Sequence, residues 1–143
     1  NESIENAGGM TPLAVACATS PEIEKMLLDL PGIDVNSRCE DGSTPLFYCN
    51  SPNSLELMLQ QKDLDINAQN NAGLTCMMQF ATERQGKFII ALLRVGADLA
   101  IKDKEGKSLF DHLGIDDKDI DLSKLSWRET SRLILKSQNL VYL

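Results

Sequence analysis

One histidine, His112, and four cysteines, Cys17, Cys39, Cys49 and Cys76, hold the imidazole and thiol chemistry of this 143-residue chain. Asp111 stands beside His112, but sequence neighbours on a helix point in different directions, so the two make no proton relay. The sequence has no G-x-S-x-G nucleophile turn, no phosphate-cradling loop and no paired-glycine fingerprint. The cysteines show no C-x-x-C spacing and there is no second histidine, so neither a zinc site nor a thioredoxin-like pair is expected. His112 therefore reads as a packing or surface residue. Cys17 and Cys49 are expected inside short apolar first helices and, with Cys76, read as core, as do Met58, Met77 and Met78. Cys39 sits among polar residues of an expected loop tip, where its thiol would be exposed and reactive. No catalytic, cofactor-binding or metal-ligating residue is assigned, and an enzyme is not expected.

Composition narrows the partners. The net charge is -7, which repels nucleic acid and anionic membranes alike. No apolar run approaches the roughly 20 residues that span a bilayer. The start, Asn1-Glu2-Ser3-Ile4-Glu5, lacks the basic and apolar regions of a secretory signal and reads as the cut edge of a longer chain. Reduced thiols in a cytoplasmic setting are the simpler expectation.

The elements that position these residues recur. Gly9-Met10-Thr11-Pro12-Leu13 is echoed by Gly42-Ser43-Thr44-Pro45-Leu46, Gly73-Leu74-Thr75-Cys76-Met77 and Gly106-Lys107-Ser108-Leu109-Phe110, at intervals of 33, 31 and 33 residues. Each period closes alike, with Ile33-Asp34-Val35-Asn36, Leu64-Asp65-Ile66-Asn67 and Ala97-Asp98-Leu99-Ala100. Glycine permits the left-handed turn that ends a loop. Thr11 or Thr44 then caps a helix with proline in its first position. Ser20-Pro21 and Ser51-Pro52 start a second, antiparallel helix, whose buried face is expected from Leu27-Leu28, Met58-Leu59 and Leu92-Leu93. The second period is two residues short, and the deficit falls in its first helix, leaving about one turn. No period has enough apolar surface to fold alone, so the units must stack.

A period of 33 with Thr-Pro-Leu after glycine resembles the ankyrin repeat family, from about Gly8 to Leu113. The resemblance implies a mainly α fold: an ankyrin-repeat solenoid of stacked helix-turn-helix units joined by β-hairpin loops. Residues 1–114 would hold the repeats, at about 6–38, 39–69, 70–102 and 103–114. The family's histidine after Thr-Pro-Leu is replaced by Ala14, Phe47, Met78 and Asp111, which implies looser loops. By the same resemblance Asn36 and Asn67 tie hairpins together, and they also resemble substrates of cytosolic asparaginyl hydroxylases.

Residues 115–143 carry no repeat pattern. Asp116–Asp121 reads as a solvated acidic loop, and Ser126-Trp127-Arg128-Glu129 fits a capping box opening a helix from about Trp127 to Lys136. This helix is expected to cap the stack. Lys124, Arg128, Arg132 and Lys136 recur every four residues, a basic stripe read as a solvated outer face.

Ankyrin repeats bind proteins along hairpin tips and first helices, and the resemblance implies the same here. The partner-binding residues expected on that concave face are Met10, Arg38, Glu40, Asp41, Ser43, Asn70, Asn71, Leu74, Lys104, Glu105 and Lys107. The three tips sum to zero charge, while Glu22–Asp34, Glu56–Asp65 and Asp111–Asp121 carry -3, -2 and -4. Solvating charge is thus expected on the back and a polar, low-charge lane in front, which costs less to desolvate. The function expected is a protein–protein interaction module, monomeric by itself and without cofactor, nucleic acid or membrane. The alternative is a recruiting or targeting domain of a larger enzyme or of a bacterial effector acting in a host cytosol.

Overall fold

The computed structural model describes residues 9–115, 124 and 126–137. They are mainly helical, and among them no strand forms and no helix is long and apolar enough to cross a membrane. The expected acidic loop at Asp116–Asp121 lies outside the described residues. The chain divides into two compact units, Asn1–Asn71 and Ala72–Leu143.

Hydroxyl caps and prolines decide where the helices begin. In the first unit α1 (Pro12–Thr19) starts where the Thr11 hydroxyl accepts the Ala14 N–H at 3.4 Å. Pro12 fills a position whose N–H would have no intrahelical partner. Ser20 and Ser51 cap α2 (Pro21–Leu28) and α3 (Pro52–Leu59) in the same way, each with a proline following. Between them the short second period supplies only a 3-10 helix, η1 (Pro45–Tyr48). Its tighter coil leaves Thr44 without a capping bond, and the buried Thr44 hydroxyl finds no partner. Cys49, expected inside a first helix, is the C-cap of this turn.

The first unit is joined through helix ends. The last carbonyls of an α-helix have no intrahelical donor. Here the Cys17 carbonyl accepts from the Ser54 hydroxyl at 3.1 Å and the Ala18 carbonyl from the Asn50 side chain at 2.7 Å. Helix α1 packs against α2 and η1, and α2 against α3. Leu13, Ala14, Leu46, Phe47, Leu55 and Met58 fill the space between them.

The second unit contains α4 (Cys76–Thr82), α5 (Gly86–Arg94), α6 (Leu109–Leu113) and α7 (Trp127–Ser137). Thr75 caps α4, and Ser108 and Asp111 form a reciprocal capping box on α6. Ser126 accepts the Glu129 N–H at 3.2 Å ahead of α7. Helix α4 packs against α5 and α6, while α7 lies on α5 and buries Ile134 completely. Phe80 and Phe88 meet edge to face at 5.3 Å between centroids.

Two expectations about burial need correction. Leu28 and Leu59 are only half-buried, whereas Met58 and Leu92 are 0% exposed. The inward stripe follows the three-residue steps Leu55–Met58 and Ile89–Leu92, which puts Met58 and Leu92 inside; Leu27 is half-buried like Leu28, and Leu93 is buried as expected. Glu24 was expected among the outer acidic residues, yet it is 0% exposed. It occupies in α2 the place that Leu55 holds in α3, three positions after the helix's opening proline.

Met58→Ala should therefore cost about 2–5 kcal/mol by leaving a cavity, and Leu28→Ala less than about 2 kcal/mol, because half of that side chain already meets water. Urea melts of the two variants check the order. Amide exchange supplies a second check: Phe47 and Cys49, in and after η1, should exchange faster than the interior amides of α4.

Candidate binding surface

Two of the loops are tight turns that end on a glycine. Cys39 accepts the Gly42 N–H at 2.9 Å and donates its own N–H to the Ser43 carbonyl at 2.9 Å. Asp103 does the same with Gly106 and Lys107, at 3.0 and 2.9 Å. This closure is that of a three-residue hairpin loop with a left-handed residue at its end, although no ladder extends it into strands. Gly42 has φ 81° and Gly73 φ 82°. A Cβ on Gly42 would collide with Asn71, whose amide nitrogen lies 2.8 Å from that point, and one on Gly73 would lie 2.7 Å from the Lys104 nitrogen.

Neighbouring loops are tied through their backbones. In the first unit Glu40 N–H donates to the Gly9 carbonyl at 2.8 Å, and Asn71 N–H to the Asp41 carbonyl at 2.9 Å. The Asn71 side chain adds a bond to the Glu40 carbonyl at 3.2 Å, and Arg38 donates to the Gly42 and Gln69 carbonyls at 2.8 and 2.7 Å. In the second unit Lys104 N–H donates to the Ala72 carbonyl at 3.2 Å. Behind the tips, the Asn36 side chain donates to the Asp63 carbonyl and accepts from Asp65 N–H, both at 2.8 Å. The carboxylates of Asp34, Asp65 and Asp98 each accept the N–H two residues on, at 2.9, 3.0 and 2.8 Å, so the recurrent aspartate of each period makes an Asx turn.

Arg38, Glu40, Asp41, Asn71, Lys104, Glu105 and Lys107 are exposed, and Met10, Asn70 and Leu74 are half-buried. The first unit brings Arg38, Glu40, Asp41 and Asn71 together, and the second groups Lys104, Glu105 and Lys107 on one loop. Ser43 does not belong with them: it is 3% exposed, and its N–H donates to Asp41 Oδ1 at 2.9 Å to hold the turn. Cys39 is corrected as well. Rather than standing exposed at a tip, it is buried, with Thr11 N–H directed at its sulfur at 3.4 Å. Burial, followed by the charge of Asp41, pushes the nearby Tyr48 phenol up to about 12.

The last loop has its own brace. Asp103 Oδ1 accepts the Glu105 and Lys107 amides, each at 2.9 Å, and Oδ2 lies 2.9 Å from His112 Nε2. The Lys107 amide first, and the His112 ring with the Glu105 amide after it, hold the Asp103 carboxyl below its ordinary range against the opposing effect of burial. His112 thus holds a loop.

Two groupings were not visible as sites in the sequence. Trp127 lies against two guanidinium groups, Arg94 at 5.1 Å and Arg128 at 5.3 Å from its ring centroid. With Lys87 and Arg132 they line a groove of about 320 Å³ between α5 and α7. The stripe on α7 pointed to half of this groove, and only packing could supply Lys87 and Arg94. The second grouping is internal, with Cys17, Glu24 and Cys49 converging in the first unit. Compared with family models and with curated proteins, the sequence finds no match.

A carboxylate with a depressed pKa contributes stability above its unfolded value, near 3.8, and loses it as pH falls through the lower folded value. Asp103→Asn should therefore be less stable than the parent at pH 7, with the gap closing below about pH 3.8. Urea melts of both chains across pH 2 to 7 measure the gap.

Proposed function

We propose that this chain is an ankyrin-type recognition module whose exposed loop tips bind a partner protein. The observation that carries the reading is the backbone bonding of the tips. Gly9 to Glu40, Asp41 to Asn71 and Ala72 to Lys104 are joined main chain to main chain, bonds that use neither the Glu40 nor the Lys104 side chain. A surface ordered beforehand loses little conformational freedom on binding. The exposed side chains are mixed in sign and small in number: Glu40 in the first unit, beside Arg38 and Asp41 that also hold the loop, and Lys104, Glu105 and Lys107 in the second. Met10 and Leu74 follow the loop glycines and are half-buried, so each offers apolar area to a partner.

Binding is favoured over catalysis by what the chemistry-bearing residues already do. His112 is engaged with Asp103, and all four cysteines are buried. A recruiting or targeting role within a longer protein would use the same tips.

The test needs variants that spare the turns. Asp41 holds the Ser43 amide, so charge reversal is better made at Glu40 and Lys104, both exposed. Glu40→Lys with Lys104→Glu keeps the net charge, and Met10→Ala and Leu74→Ala remove the two apolar candidates. A partner captured from lysate and then purified is titrated calorimetrically against each variant. The expected result is an unchanged melting temperature within a few degrees and a loss of roughly 1–3 kcal/mol of binding shared among the variants. Unchanged affinity in all of them, with binding lost in Arg128→Ala and Arg132→Ala, would move the site to the groove beside Trp127.

A further inference from the structure

The search for internal chemistry ends in the first unit. Cys17 lies in the last turn of α1, Glu24 in the first turn of α2, and Cys49 ends η1. Their Sγ, carboxylate oxygen and Sγ atoms all lie within 4.8 Å of one another, and the three residues are 1%, 0% and 3% exposed. Among the described residues, neither carboxylate oxygen of Glu24 has a hydrogen-bond partner. The Ser54 hydroxyl, which acts on Glu24, gives its proton to the Cys17 carbonyl at 3.1 Å. A buried carboxyl with nothing bonded to it is costly and rare, and helix α2 could hold an aliphatic side chain at this position, as α3 does with Leu55.

We propose that Cys17, Glu24 and Cys49 form a binding site for one thiophilic divalent cation of the zinc type. Two sulfurs and a carboxylate oxygen are three of the four ligands such an ion takes, leaving one position for water. Zinc–sulfur bonds of about 2.3 Å separate tetrahedral sulfurs by roughly 3.7 Å. Atoms already within 4.8 Å of each other can be drawn onto the ion by small side-chain rotations. As the cation enters, two thiol protons leave, together with the carboxyl proton where Glu24 carries one, and the orphaned oxygens gain a partner. The site joins α1, α2 and the end of η1, so occupancy would anchor the shortest helical turn of the first unit. The ligands stand 7 and 25 residues apart in sequence, and that spacing hides the site from any motif search.

The test uses the full chain, reduced and stripped by a chelator that is then removed. Cobalt(II) is titrated as a spectroscopic stand-in, followed by zinc chloride. The proposal expects one equivalent of cobalt, a near-ultraviolet sulfur-to-cobalt charge-transfer band, displacement by zinc, and a melting temperature that rises with free zinc. Cys49→Ala and Glu24→Gln should weaken zinc binding by more than the roughly 10–100-fold cost of losing an outer-shell partner. Cys39→Ala and Cys76→Ala should leave the stoichiometry and spectrum unchanged. The parent chain alone decides if the ligand variants do not fold. Absence of both the cobalt band and the melting shift overturns the proposal, as does a band that survives in the Cys17→Ala, Cys49→Ala double variant. Facile pairing of two thiols under mild oxidation, with no cobalt uptake, would overturn it in favour of disulfide chemistry.

Discussion

A loop that reverses direction against its neighbour's main chain leaves room for a hydrogen atom and nothing larger at the reversal. Gly42 and Gly73 stand at that point, both in the left-handed region, each with a neighbouring backbone nitrogen where a Cβ would be. Much else follows from this contact. The residue two places after each loop glycine, Thr11, Thr44, Thr75 or Ser108, precedes the next helix, and all but Thr44 cap it through the hydroxyl, so the glycine sets where the next helix can begin. The helix in turn sets where its carbonyls end, and in the first unit those of Cys17 and Ala18 are closed by Ser54 and Asn50 from the following period. Local turn chemistry is thereby converted into longer-range order.

The short helices depend on that order. Eight-residue helices such as α1 and α2 are marginal alone even with good caps, and a single 3-10 turn is more so. η1 also carries an uncompensated buried hydroxyl at Thr44. Its stability comes from the apolar residues it presents, Leu46 and Phe47, and from α1 packed against it. The two-residue deficit is tolerated because it shortens a helix whose contacts matter more than its own hydrogen bonds.

Helix starts were legible in the sequence because they are set locally. Thr11-Pro12, Ser20-Pro21, Ser51-Pro52 and Ser126 all open helices, and Trp127–Ser137 matches the helix expected there to within one residue. Burial was less legible because it depends on helical phase and on neighbours distant in sequence. Counting the pair Met58-Leu59 as equally apolar hid the inward stripe, which the step from Leu55 to Met58 would have shown. Aligning Pro21 with Pro52 would have placed Glu24 against Leu55 and flagged a charged residue at a core position. Cys39 misled for another reason: the hairpin tip is polar as a segment, but its first residue faces Thr11. Ser43 misled in a similar way, because its amide is needed to close the loop and the fold buries it.

The main-chain bonding between loops also bears on how such a surface could change over generations. Because Glu40, Asn71 and Lys104 are held through backbone N–H groups that every residue but proline possesses, substitutions at Glu40 and Lys104 leave the bond between loops intact. Positions of this kind can drift almost independently of folding, whereas Gly42, Asp103 and Arg38 cannot. Selection acting on a lineage of these chains would thus find its freedom concentrated on a few outward positions, and a new specificity could arise there by single substitutions without first acquiring a stabilising one elsewhere.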